Sequence, residues 1–364
     1  MRRSFRFLLR PTARQAGTLA ACLEDHRQLY NAALEHRRTA YRAAGVTVRY
    51  GDQSAELKEV RRADPGGQGR WSAGSQQQTL RRLERAFAAF FRRVKDGRCP
   101  GYPRFKGRGR FDTIEWPARK NGACWDSRPH EPATRVYLLG VGHVRVHQHR
   151  PVAGTVKTIS VKREGARWFV ILSCEDVPAQ PLPATGAAVG VDLGVASLVT
   201  TSGGKHLANP RHLRSAADRL AAAQRDLARC ERGSNRRRRA VRRVAALHAR
   251  VRRQRLDTAH KTALRLVRDH DVIVHEDLRI ANMIRSASGT IDEPGRRVAA
   301  KSGLNRSILD AGWGVILTVL AHKAESAGRE LIAVNPANTS HADVNAAINI
   351  LRAGLALREA AEAA

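Results

Sequence analysis

The second half of the chain alternates short apolar runs with segments whose hydrophobic residues recur at helical spacing. Residues 187–192 and 271–276 have the length and apolar character of buried strands. A further strand-like run at 329–334 lies between predicted helices at 307–327 and 342–357. This βββαβαβα-like succession restricts the region to an α/β architecture built on a mixed sheet.

Three acidic residues in this region stand where a carboxylate is costly. Asp192 interrupts one buried strand, Glu276 ends another, and Asp343 begins the last predicted helix. If the three converged within ~4 Å, each pair would repel by roughly 1–4 kcal/mol at effective dielectric constants of 80 down to 20. A divalent cation removes that repulsion, and oxygen ligands favour Mg²⁺ or Mn²⁺ over zinc.

Two such ions, about 4 Å apart, can clamp the attacking water and the leaving oxygen of a phosphodiester. Each acid also has a simpler structural explanation. Asp192 fits a turn, Glu276 fits a charged strand end, and Asp343 fits the first turn of a helix, where the dipole favours an anion. Spacing alone leaves the metal site and these structural roles equally open.

Positive charge dominates the composition, with 65 Lys and Arg against 33 Asp and Glu, a formal net charge of +32. Such an excess repels itself unless a polyanion offsets it. The charge is spread over nearly every segment, which favours nucleic acid over a membrane surface. Because no signal peptide or membrane-spanning run stands out, we expect a cytoplasmic, nucleoid-associated protein without a membrane partner.

The densest charge falls in a predicted basic helical hairpin at 212–256, where residues 232–255 contain 11 arginines. A solvated helical face is the usual explanation of a charge run. The absence of interleaved acids instead favours contact with phosphates. The arginines expected to bind nucleic acid are Arg236, Arg237, Arg238, Arg239, Arg242 and Arg243.

The first half of the chain predicts a strand at 3–9, helices after Pro11 and at 76–94, and a loop at 45–75. Short β-type runs follow residue 97 and indicate a small antiparallel β-domain. The overall expectation is a multidomain α+β protein. Its predicted parts are a first strand at 1–10 that joins the β-domain, a helical region at 11–96, the β-domain at 97–180, and an α/β domain at 181–364.

Three stretches carry a family resemblance: Val189-Gly-Val-Asp-Leu-Gly-Val195, Val272-Ile-Val-His-Glu-Asp-Leu278 and Asp343-Val-Asn-Ala-Ala-Ile-Asn-Ile-Leu351. They resemble the three RuvC motifs of the transposon-encoded OrfB/TnpB family of RNA-guided DNA endonucleases, which are related to type V CRISPR effectors. Residues 304–314 and 101–106, and Tyr30-Asn31, are similar to further family stretches. The match is spread in order over nearly the whole chain.

The resemblance implies an RNase H-like (RuvC) nuclease domain that carries the helical hairpin as an insertion. It also implies that the helical region is a recognition lobe and that the β-domain is a β-barrel wedge domain. Asp192, Glu276 and Asp343 would be the catalytic residues and the ligands of Mg²⁺ or Mn²⁺. The implied activity is cleavage of target DNA by two-metal phosphodiester hydrolysis.

The resemblance further implies a guide RNA derived from the transposon end and a double-stranded target carrying a short flanking motif. Gln76, Gln77 and Gln78 are candidate readers of that motif, because amides suit bidentate contact with adenine. An amide-rich helix start is the simpler explanation of the same three residues. A strand-joining transposase lacks support, since no catalytic Tyr and His pair stands out.

One departure from the family is large. Its members normally carry a zinc ribbon with two CxxC pairs before the last motif, whereas residues 335–342 here join strand and helix directly. The five cysteines form no CxxC pair, so no zinc is expected. This departure puts cleavage in doubt more than binding, and the alternative is a nuclease-impaired, RNA-guided DNA-binding protein that acts as a repressor.

Overall fold

The chain divides into two units, Met1–Pro178 and Ala179–Ala364, in the computed structural model. The structure describes residues 1–118, 122–126, 134–290, 293–335 and 344–362. Each unit contains its own sheet and its own helices. The protein is therefore a mixed helix and sheet protein.

The first unit is built on a curled antiparallel sheet with the strand order β2-β6-β7-β1-β5-β4-β3. Its strands are β1 (Arg3–Arg10), β2 (Thr113–Pro117), β3 (Ala123–Asp126), β4 (Arg135–Leu138), β5 (Gly142–His147), β6 (Thr155–Glu164) and β7 (Arg167–Glu175). The strand predicted at the N-terminus is thus central, paired with both β5 and β7. Among the described strands, β2 and β3 are the two ends of the strand order and do not pair with each other, and closure of the curled sheet into a barrel stays a prediction.

This unit also contains three helices, of which the first and third pack on the sheet: α1 (Ala13–Ala44), α2 (Tyr50–Ala63) and α3 (Ala73–Lys95). Alternate β1 residues Phe5, Phe7 and Leu9 share one hydrophobic core with Leu19 of α1 and Leu83 of α3. The alternation follows from the two-residue period of a strand. One core therefore serves both the helical and the β-part of this unit.

Helix α2 corrects the expectation of a loop at 45–75. Its sequence is polar, but Leu57 is buried and the Gln53 amide donates a hydrogen bond to the Ala33 carbonyl of α1. Arg37 in turn donates to Gln53 Oε1 at 2.9 Å. Tertiary contacts rather than a repeating apolar face thus stabilise this helix. Helix α3 also begins earlier than predicted, at Ala73 instead of residue 76, with Ser72 as its N-cap.

The second unit contains a five-stranded sheet with the order β10-β9-β8-β11-β12. Its strands are β8 (Ala188–Asp192), β9 (Ser197–Thr201), β10 (His206–Ala208), β11 (Val272–Glu276) and β12 (Glu330–Val334). Strands β8, β11 and β12 run parallel, while β9 and β10 pair antiparallel at one side. The mixed sheet predicted from the alternating pattern is confirmed.

Helices cover both faces of this sheet: α4 (His212–Ser215), α5 (Ala217–Ala228), α6 (Asn235–Asp269), α7 (Ile280–Met283), α8 (Val298–Ala311), α9 (Trp313–Ala327) and α10 (Val344–Glu362). Val189, Val191 and Ile273 form a core with α6, α8 and α9 on one face. Val274 and Val334 pack with α10 on the other face. The helix predicted at 307–327 is divided into α8 and α9, because Gly312 takes a left-handed conformation with φ of 74°.

Helix α6 is longer than the predicted arm of the hairpin. It continues past residue 256 as one helix of 35 residues that ends at Asp269. Ala259, Ala263 and Leu266 are buried in the core of the second unit. These buried residues recur at the spacing of a helix, and no Gly or Pro stands between residue 256 and Asp269. The arginine-bearing helix therefore continues into the core.

Candidate functional site

Asp192 and Glu276 are the last residues of two adjacent parallel strands. The ladder pairs Val272 with Ala188 and continues in register to the pair of His275 with Val191. One residue further, β8 ends at Asp192 and β11 ends at Glu276. Since neighbouring strands lie about 4.7–4.9 Å apart, the sheet brings these two acids together at its carboxyl edge.

Both acids lie on the face of the sheet that α10 covers. Residues two apart in a strand share a face, so Asp192 shares its face with Gly190, and Glu276 with Val274. Gly190 meets α10 so closely that an added Cβ would lie 1.9 Å from the Ala347 carbonyl oxygen. Val274 meets Gly354 of the same helix. Gly190 and Val274, each two residues before one of the acids, therefore pack directly against α10.

Asp343, the third predicted ligand, lies outside the described residues. Helix α10 begins at the next residue, Val344, one turn before Ala347, which touches β8. Among the residues whose placement is described, no group of three or more His, Cys, Asp or Glu side chains forms a metal site. Two half-buried carboxylates at one register, Asp192 and Glu276, are a donor set that fits a hard divalent cation.

The loop after Asp192 is fixed by two side chains from elsewhere in the unit. Trp313 of α9 donates its indole N–H to the Gly194 carbonyl at 3.2 Å. Asn209 donates its amide to the Val195 carbonyl at 2.9 Å. The backbone that follows Asp192 is therefore fixed by hydrogen bonds at two successive carbonyl groups, those of Gly194 and Val195.

Sequence reasoning missed an important buried acid, Asp310 at the end of α8. Its carboxylate accepts hydrogen bonds from the Leu213 and Arg214 backbone N–H groups, at 2.8 and 3.1 Å. It also pairs with Arg255 of α6 at 2.8 Å. Burial raises the pKa of Asp310, but these hydrogen bonds and the Arg255 charge lower it further, so the net pKa is below its usual value. The only signal in the sequence was its place in the 304–314 stretch.

The predicted nucleic-acid-binding arginines all lie in the first turns of α6, and three of them, Arg237, Arg238 and Arg243, make contacts within the chain. Arg237 donates to the carbonyls of Leu227 and Cys230, both at 3.2 Å, and so ties the end of α5 to α6. Arg243 reaches Asp226 at 3.4 Å, and both side chains are largely exposed. The other exposed arginines of this group are Arg236, Arg238, Arg239 and Arg242.

The three glutamines differ in how they are held. Gln76 is fully buried, accepts from Arg61 at 2.6 Å and donates to both oxygens of Gln68 at 2.9 Å. Contact between Gln76 and a base would require these bonds to break. Gln77 and Gln78 are half-buried, and motif reading by these two residues stays a prediction.

No helix among the described residues is both long enough and apolar enough to cross a membrane. The features above define an arginine-rich α/β protein with a pair of carboxylates at the carboxyl edge of its sheet. The chain belongs to the OrfB_IS605 family, whose model is described as "Probable transposase" and matches residues 160–287.

Relatives along nearly the whole chain establish this membership. InsQ of Escherichia coli strain K12, whose name assigns it to the RNA-guided DNA endonucleases, is 33% identical, with 97% of this chain and 92% of that protein covered. A protein of Streptomyces pristinaespiralis named in the same way is 34% identical, with 98% and 90% covered.

Two further comparisons concern structure. A helix-turn-helix model of the family matches residues 1–45, which here form strand β1 and the single long helix α1. A chain of the Cas12f1–sgRNA–target DNA complex gives a TM-score of 0.49 at 13% identity, with 91% of this chain and 81% of that chain covered.

Proposed function

We propose that the protein is an RNA-guided DNA endonuclease encoded by a transposon. The observation that carries the proposal is the placement of Asp192 and Glu276 at one register, on adjacent parallel strands, in a chain of this family. The relatives named as RNA-guided DNA endonucleases match almost end to end, which supports the same activity here.

In this proposal the second unit is an RNase H-like, RuvC-type nuclease domain, and its strand order agrees with that assignment. Asp192 and Glu276 hold Mg²⁺ or Mn²⁺, and Asp343, just before α10, completes the site. The ions, when bound, would activate water and stabilise the leaving oxygen of a phosphodiester. The parallel register brings both carboxylates to the same edge of the sheet, on the face against which α10 packs at Gly190 and Val274.

The nucleic-acid partners follow from charge and family. A guide RNA from the transposon end binds the exposed arginines of α6, and base pairing selects a double-stranded target beside a short flanking motif. The helices of the first unit act as a recognition lobe and its sheet acts as a wedge domain. The protein works in the cytoplasm, at the nucleoid.

The test is plasmid cleavage by the protein reconstituted with its guide RNA, in Mg²⁺ and then in Mn²⁺. Asp192→Ala and Glu276→Ala should each lower the cleavage rate by about 10³-fold, equivalent to about 4 kcal/mol of transition-state stabilisation. Target binding in EDTA should not change, because pairing and arginine contacts are intact. Asp269→Ala, which removes an exposed acid at the end of α6, is the matched control and should cleave normally.

A second function, an RNA-guided repressor that binds target DNA without cutting it, is favoured by one sequence feature. The chain lacks the two CxxC pairs of the family's zinc ribbon. Tight, guide-dependent binding by the wild-type protein, with no cleavage in either metal, would establish the repressor and reject the endonuclease.

A further inference from the structure

Beside the loop that follows Asp192, the second unit has a cleft of about 490 Å³. Val195, three residues after Asp192, lines the cleft together with the start of α4 and the middle of α8. Three residues of extended chain span at most about 11 Å. The end of the cleft formed by Val195 therefore lies within about 11 Å of Asp192, measured along the backbone.

The walls of the cleft carry three arginines: Arg211, Arg214 and Arg306. All three are exposed, and none of their guanidinium groups has a hydrogen bond or an ion pair with any residue that the structure describes. Elsewhere in the protein many arginines are paired, as Arg255 is with Asp310 and Arg329 is with Asp271. Three unpaired guanidinium groups around one cleft are chemically suited to an anion.

The acid that also lines the cleft does not cancel this charge. Asp310 is buried, and its oxygens already accept from Leu213, Arg214 and Arg255. Asp310 and Arg255 together are neutral, so the three free guanidinium groups leave the cleft with a net positive charge. By binding the first turn of α4, the Asp310 carboxylate also fixes the backbone that carries Arg214.

The backbone at the entrance is held in an unusual conformation. Arg211 has φ of 44° and ψ of 52°, a left-handed conformation that non-glycine residues rarely adopt. Its N–H donates to Asn209 Oδ1 at 3.1 Å, and the same Asn209 side chain holds the Val195 carbonyl. One side chain thus couples the strained Arg211 to the loop after Asp192. Strain of this kind is maintained by surrounding contacts and is concentrated at functional sites.

We infer that this cleft binds a backbone phosphate of the DNA strand to be cut, and that Arg211, Arg214 and Arg306 position that strand at the carboxylate pair. This inference rests on the proposed endonuclease function. One strand of DNA carries a phosphate about every 3.4 Å along the axis of a duplex. A phosphate bound at the Val195 end of the cleft, at most about 11 Å from Asp192, would therefore lie within about three nucleotides of the scissile bond.

The first experiment measures binding without cleavage. A fluorescent single-stranded DNA oligonucleotide is titrated in EDTA, at several salt concentrations, onto the protein bound to its guide RNA. Arg211→Ala, Arg214→Ala and Arg306→Ala should each weaken the affinity about 3- to 10-fold. Together they should reduce the slope of log K against log salt by about 0.7 for each phosphate that the protein no longer neutralises. Arg265→Ala, an exposed arginine on the core end of α6, is the matched control and should behave as wild type.

The second experiment measures guided plasmid cleavage by the same variants in Mg²⁺. The three cleft variants should cut about 10- to 100-fold more slowly, while guide RNA and target duplex bind with unchanged affinity. Unchanged oligonucleotide affinity and salt slope in all three variants would overturn the cleft assignment, even if the wild type cuts DNA. If the wild type does not cut, the endonuclease function fails, but the oligonucleotide titration still decides whether the cleft binds a phosphate.

Discussion

Replacing Gly190 by alanine tests whether the seating of α10 on β8 positions the acidic site. The new Cβ would lie 1.9 Å from the Ala347 carbonyl oxygen and 2.9 Å from the Leu351 backbone nitrogen, both on α10. Ordinary contact begins at 3.4 Å, so strand and helix must separate by 3.4 − 1.9, about 1.5 Å. Neither obstacle is a flexible side-chain end that could rotate away.

Overpacking of this kind costs about 1–3 kcal/mol. In a unit of about 190 residues, each kcal/mol corresponds to a shift in Tm of about 2–4 °C, so the second unit should melt about 2–12 °C lower. The start of α10 immediately follows Asp343. A displacement near 1 Å at a reacting centre can cost about 10²-fold in rate, and guided cleavage should fall by that order.

The assays are differential scanning calorimetry of the protein without RNA and plasmid cleavage with RNA. Gly203→Ala is the matched control, because no atom lies within 4 Å of its added Cβ and its backbone is not left-handed. It should change stability by less than about 0.5 kcal/mol. If Gly190→Ala melts and cleaves like Gly203→Ala, α10 does not depend on this close approach and the reasoning about the site is refuted.

Three further outcomes are expected. Asp310→Ala should lower the free energy of unfolding by about 3 kcal/mol, because it leaves Arg255 unpaired, and equal melting of Asp310→Ala and wild type would contradict this. Burial lowers the pKa of His26 from 6.5 to about 4, so the folded state disfavours its protonation. Stability should therefore fall by about 3 kcal/mol as the pH drops from 6.5 to 4, and chemical denaturation should show a shallower fall in His26→Gln. Arg239→Ala should weaken guide RNA binding without lowering the Tm, whereas Arg237→Ala should also lower the Tm. Equal Tm values for the two variants would contradict a structural role for Arg237.

The sheet of the second unit could be predicted from the sequence because its strands are short apolar runs that are recognisable locally. The runs that end at Asp192 and Glu276 are largely apolar, and parallel strands buried on both faces have this composition. The pattern predicted Asp192 within one buried strand and Glu276 at the end of another, and the register of the two strands brought these acids together. The short strand β10 was missed, since three residues are too few to show a period.

Features that depend on tertiary contact were not accessible. Helix α2 has few apolar residues, and its buried Gln53 is held by α1 rather than by its own sequence. Gln76 was a candidate for reading the flanking motif because its amide lies at a helix start, yet hydrogen bonds to Arg61 and Gln68 hold it buried inside the first unit. Asp310 looked like any helical acid until its partners on α4 and α6 were known.

The unbroken course of α6 limits how this region can change in length during evolution. An α-helix turns 100° per residue, so any insertion or deletion between the arginines and the buried Ala259 rotates one end relative to the other. Deletion of two residues would turn the arginine face by about 200°, away from its original direction. Deletion of seven would leave it within about 20° and shorten the arm by about 10.5 Å. Related chains whose α6 differs in length should therefore differ by numbers of residues, such as seven, that keep the arginine face in its original direction. Differences of two residues should be rare.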